Sequence, residues 1–303
     1  MNYKYYVAVI TAFTIWGFFS LVLKSLDTYP AFDILSYRSV LSVFIMLVVS
    51  LVLRPKVLKK NSQLYQSLST KNKRKFWTMN ALSGLFLALN WFIFIYVMNA
   101  VSVSATSLAY LICPILTMVL AYLILKEKLF KIQWFSVVLS LLSCLLLSLG
   151  NFMDLFYSMI IALTYAIYLV IQRKNQDLDR FLTLTVQVGF AVILLLPFFP
   201  SQVSDMEKTP FFYGMLLLIA VVFTIIPMFL NIYALKGLNS SVVGVFIYLN
   251  PIINFLLAIF YFKEKMTFLQ GISYGLIGIS VIIFNIPNFK SHMKKRKAIH
   301  VKI

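Results

Sequence analysis

The side chains of this chain that could do chemistry fall in a few short segments, and their types suit binding rather than bond-making. Asn90-Trp91, Tyr110, Cys113-Pro114, the group Thr164, Tyr165, Tyr168 and Gln172, Tyr248, Asn250-Pro251 and Asn254 offer aromatic faces with amide and hydroxyl handles. Such a mixture suits amphipathic organic molecules or cations better than strongly anionic ones. Acid–base or nucleophilic catalysis needs paired groups held together. Here both histidines, His292 and His300, stand in a basic C-terminal stretch read as solvated and disordered, so no enzyme is expected. Neither a cofactor nor a metal is expected: Cys113 and Cys144 sit singly inside apolar runs and read as small packing residues.

Spacing sorts these residues onto faces. Ser107, Tyr110, Pro114, Thr117 and Ala121 recur at helical intervals, as do Gly244, Tyr248, Pro251, Asn254 and Ala258. Each small or polar stripe is either a helix contact or a cavity wall. Each proline removes a backbone donor and frees a carbonyl one turn earlier, which in lipid must find protein or water. Corresponding breaks point to a cavity, tolerated kinks being the plain alternative. Thr164, Tyr168 and Gln172 share another face, whereas Tyr3, Tyr5, Tyr6, Trp77 and Trp134 fit an interfacial belt.

The elements that position them must be membrane helices. Apolar residues make up 61% of the chain and charged residues 12%, with a mean hydropathy of +0.91, against about 25% charged in soluble domains. A crossing takes about 20 apolar residues. Ten spans are predicted, at 4–23, 31–53, 76–98, 103–125, 132–149, 153–171, 181–199, 211–235, 240–262 and 267–286. No carboxylate falls at a predicted midplane, and Glu127 and Glu264 read as hydrated helix termini. Arg38 is the one basic residue within a span. At about 1.5 Å per residue it lies on the order of 10 Å from the start of that span. It either snorkels to the surface or faces the bundle interior, where it holds a vestibule open or pairs with a substrate carboxylate.

Residues 96–136 and 233–273 are one segment written twice at an offset of 137: Tyr96/Tyr233, Ser104/Ser241, Pro114/Pro251, Ala121/Ala258, Lys126-Glu127-Lys128 against Lys263-Glu264-Lys265, and Gln133/Gln270. Five spans per copy is an odd number, so the second copy enters the membrane from the opposite side. The fold class expected is an all-α polytopic membrane protein of ten transmembrane helices in two inverted-topology five-helix repeats, 1–150 and 151–288, followed by a basic tail, 289–303. Such repeats place a substrate site at their interface near the midplane. Ser136, Ser140 and Ser143 in span five and Gly271, Gly275 and Gly278 in span ten read as close helix contacts, within the chain or between two chains, a monomer or a weak homodimer.

A net charge of +18 would suggest nucleic acid in a soluble protein, but sorting by loop gives 22 basic residues on one side and four on the other. This predicts a multi-pass protein of the cytoplasmic membrane with both termini cytoplasmic, its basic face turned to anionic headgroups, and no nucleic-acid partner. The longest loop expected, the basic stretch 54–75, is short for a receptor or scaffold.

Together these residues resemble the EamA-type transporters of the drug/metabolite transporter superfamily, and within them the RarD-like chloramphenicol-sensitivity branch. The likeness rests on Asp33 to Arg38, Asn90-Trp91, Asn99, Ser107-Leu108, Tyr110, Glu127, Gln133-Trp134, Pro227, Tyr248, Pro251 and Glu264 in shared order. Cys113 stands where the pattern has Asn, and Tyr37 where it has His, while Asn250 keeps the amide in the second half. The resemblance implies a permease moving small organic metabolites or drugs outward by alternating access. An uptake permease and a lipid-linked substrate flippase are the alternatives. Arg38, Asn90, Trp91, Tyr110, Pro114, Tyr168, Tyr248, Asn250, Pro251 and Asn254 are the substrate-binding candidates.

Overall fold

A computed structural model describes residues 3–101, 103–147, 152–175, 178–261, 263 and 267–300. Glu264 and Lys265 lie outside the described residues, as do the side chains of Asn99, Ser104, Ala258, His292 and His300. Among the described residues every regular element is a helix. Nine are long and apolar enough to cross a membrane, and Lys131–Leu147 is a shorter apolar helix, the tenth expected. Numbered in chain order, the spans are one, Tyr3–Lys24; two, Ala31–Leu53; three, Thr70–Ala100; four, Val103–Leu125; five, Lys131–Leu147; six, Phe152–Lys174; seven, Arg180–Phe198; eight, Pro210–Leu235; nine, Ser240–Phe246 with Leu249–Phe260; and ten, Phe268–His300.

The basic stretch after span two, expected as a loop, is itself a helix, Pro55–Ser67, that starts on Pro55; Ser69 then caps span three through the amide of Asn72. Span ten likewise runs on through the tail to His300 instead of giving way to disorder. Both stretches are rich in lysine, which favours helix once a hydrophobic span has nucleated it.

Packing follows an approximate two-fold relation. Span four lies on six as nine lies on one, three on seven as eight on two, and one on eight as six on three; five packs on ten and four on nine. The backbone repeats it too: Lys126 and Lys263 have left-handed φ values of 55° and 58°. Lys126 ends span four beside the start of span nine, where Glu127 binds Ser240, and span nine then runs away towards Lys263. The matched lysines therefore stand at opposite ends of the bundle, which is the inversion.

Several buried polar groups have a local reason. Pro227 leaves the Phe223 carbonyl without a helical donor, the preceding turn Ile219–Ile225 widens, and Trp16 Nε1 of span one donates to that carbonyl at 2.8 Å. Spans five and ten are joined by Ser140–Ser280 hydroxyls at 2.6 Å and by Ser143 donating to the Ser273 carbonyl at 2.8 Å. Gly275 and Gly278 face open space, so serines and not these glycines make the contact. Tyr5 leaves the expected interfacial belt: it is buried against Tyr233 and over Gly237, where a Cβ would come within 1.9 Å of its ring. Cys113 and Cys144 are buried free thiols, as packing residues should be.

Candidate functional site

The two proline helices cross at the centre of the bundle, and they meet the loss of a donor differently. Span four continues through Pro114 as one helix, with the Thr117 hydroxyl bonded to the Cys113 carbonyl at 2.8 Å. Span nine breaks: its amides at Ile247, Tyr248 and Asn250 reach back three residues, and the Ile247 carbonyl that Pro251 cannot serve is taken by Asn250 at 3.1 Å. Gly244 allows the crossing, since a Cβ there would stand 2.9 Å from the Thr117 methyl. The two stripes are thus contact at Pro114, Thr117 and Gly244, all buried. Ser107 is exposed and takes no part.

Above this crossing the polar and aromatic candidates converge. Arg38 of span two enters the bundle instead of snorkelling, with its guanidinium carbon 5.9 Å from the Phe19 ring centre and 5.6 Å from that of Trp91. Tyr110 of span four, packed on Phe94 at 5.7 Å, lies within electrostatic reach of that guanidinium. Tyr165 of span six stacks on Tyr168 at 5.8 Å, receives the Asn231 amide at 3.2 Å and lies within the same reach of Tyr110 and Cys113. Across the crossing, Asn254 donates to Asn250 at 2.6 Å. Arg38 Nε and the amide oxygens of Asn231 and Asn254 are buried without a hydrogen-bond partner, while the buried hydroxyls of Tyr168 and Tyr248 face the side chains of Gln172 and Ser140. Unsatisfied groups of this kind are costly away from water and mark a place where a polar ligand or water gains.

Several candidates have structural duties. Asn90 spends its amide on the Ile161 carbonyl at 2.9 Å and Thr164 at 3.1 Å, tying span three to span six. Gln172 joins Gln187, which with Asn175 shares the Asn80 oxygen at 2.8 and 3.0 Å, in a buried network at the basic end of the bundle. Sequence spacing set Tyr165 off the face of Thr164, Tyr168 and Gln172, yet Tyr165 turns to the site. Phe19 and Asn231 carry no motif, and only three-dimensional packing brings them in. Pro251 is buried behind the break in span nine.

The basic end also holds Glu127, half-buried and more than a hydrated terminus. It accepts from the Ser240 and Ser241 amides at 2.8 and 3.0 Å and from the Ser241 hydroxyl at 2.6 Å, capping span nine with a charge suited to a helix N-terminus. Beside it opens a cavity of about 820 Å³ lined by Lys126, Lys128, Arg173, Lys174 and Lys236.

The family profile of the EamA-like transporters matches this chain twice, at residues 3–149 and 153–286. The chain belongs to the EamA-like transporter family. It is 30% identical to an uncharacterized transporter of Vibrio cholerae, over 95% of this chain and 94% of that one. It is 27% identical to Protein RarD of Escherichia coli, over 91% of each. A protein of known crystal structure shares the fold with a TM-score of 0.71 at 13% identity, covering 93% of this chain and 96% of the other. The family assignment and the apolar helices make the chain a multi-pass membrane transporter.

Proposed function

We propose that this transporter is a permease of the cytoplasmic membrane that carries small organic metabolites or drugs outward by alternating access. Both termini lie in the cytoplasm in this reading, which the 22-to-four division of basic residues supports. The observation that carries it is the convergence of Arg38, Trp91, Tyr110, Tyr165 and Tyr248 on the crossing of spans four and nine, where Arg38 Nε and the amide oxygens of Asn231 and Asn254 are buried without a partner. Two inverted halves give such a centre two equivalent routes to the opposite faces.

Counterflow in proteoliposomes with a panel of amino acids and aromatic drugs tests it. The expected result is exchange of at least one labelled solute without scrambling of lipid probes. Tyr110→Ala and Tyr165→Ala should slow that exchange about tenfold at unchanged protein yield, the loss of one hydroxyl bond and one ring contact. Lipid scrambling without solute exchange would sink the reading in favour of a flippase, and accumulation of the solute only in cells that carry the protein would reverse the direction.

A further inference from the structure

We propose that Arg38 is the receptor for a carboxylate on the transported solute, so that the solute is a monoanionic organic acid with an aromatic or apolar body. This rests on the permease reading above and narrows it to a substrate class. A cation this deep in a membrane bundle is paired or functional. Asp33, one turn away on the same span, is already engaged: it accepts from the Ser204 amide at 2.9 Å and hydroxyl at 2.5 Å and pairs with Lys208 at 2.8 Å. Among the described residues no acidic side chain pairs with Arg38 and none accepts a hydrogen bond from it.

The surroundings select the ligand's shape. Phe19 and Trp91 attract the guanidinium through its π-facing contacts, which satisfies its charge in part but uses none of its N–H donors. Those donors form a rigid planar fork that matches a carboxylate with two parallel bonds, and buried Nε has no acceptor within the protein. One cation among aromatic walls neutralises one negative charge; a phosphate dianion would remain half unpaired.

Counterflow in proteoliposomes with phenylacetate and hexanoate, their amides and phenethylamine decides the matter. The two carboxylates should exchange at least about tenfold faster than the amides and the amine. Arg38→Gln should remove that preference and Arg38→Lys should keep part of it. Amides or the amine exchanging as fast as the acids would overturn the carboxylate assignment and leave the permease standing, as would Arg38→Gln exchanging the acids like the wild type. If no probe of any charge exchanges, both readings fall. Should Arg38→Gln not fold, the comparison of acid with amide on the wild-type protein still decides.

Discussion

Asp33 and Lys208 form an ion pair of 2.8 Å with 0% and 5% of their side chains exposed, and it pins the start of span two to the segment after span seven. At the other end of span two Arg54 forks onto Asp179, at 3.0 and 3.1 Å, at the start of span seven. The two pairs are counterparts under the two-fold relation and stand about 30 Å apart along the helix, close to the thickness of a hydrocarbon core. Their burial differs, and so should their energetics. Lys208→Met strands a buried carboxylate and should cost about 3–5 kcal/mol, whereas Arg54→Gln opens a pair that water already reaches and should cost about 1 kcal/mol or less. Thermal unfolding in detergent checks the order, and equal losses would contradict it.

The same two pairs bear on access. A carrier that opens to alternate sides must part spans two and seven at one end at a time. Arg54→Cys and Asp179→Cys together, joined by a reducible bis-methanethiosulfonate linker that spans the reach of an Arg–Asp fork, are therefore expected to stop solute counterflow, and reduction is expected to restore it. Continued exchange in the cross-linked protein would show that the basic end does not open between these spans.

Glu127 supplies three acceptor contacts to the first turn of span nine. Glu127→Ala should lower stability by about 1–2 kcal/mol, near the upper range for a charged helix cap, and Ser241→Ala should cost less. A thermal midpoint unchanged by Glu127→Ala would return this residue to the role of a solvated end.

The sequence made the spans legible because the bilayer imposes one simple demand, a long apolar run with its backbone satisfied within itself. The inversion was legible from an odd number of spans and the doubled Lys-Glu-Lys. Residue duties within the bundle were harder to read. Asn90 belongs to no stripe and Tyr165 lies off the face of Thr164, Tyr168 and Gln172, and only the packing of span six on three and four assigns one to a structural bond and the other to the site. Arg38 has a side chain long enough to reach either the surface or the interior, so its direction depends on the aromatic slot that Phe19 and Trp91 provide. Gly275 and Gly278 carry the signature of close contact but face open space, because Ser273 and Ser280, each two positions away, meet span five.

Gly244 is the glycine at which the crossing of the proline helices is held open, and the contact is specific enough to be repaired. A methyl added there meets Thr117 Cγ2 at 2.9 Å and its Cβ at 3.0 Å. Gly244→Ala should cost about 1–3 kcal/mol by overpacking. Thr117→Ser removes the offending methyl while keeping the hydroxyl bonded to the Cys113 carbonyl, so the double variant should recover more than half of that loss. Simple additivity of the two changes in a double-mutant cycle would mean that spans four and nine do not touch there, and the site built on their crossing would lose its frame.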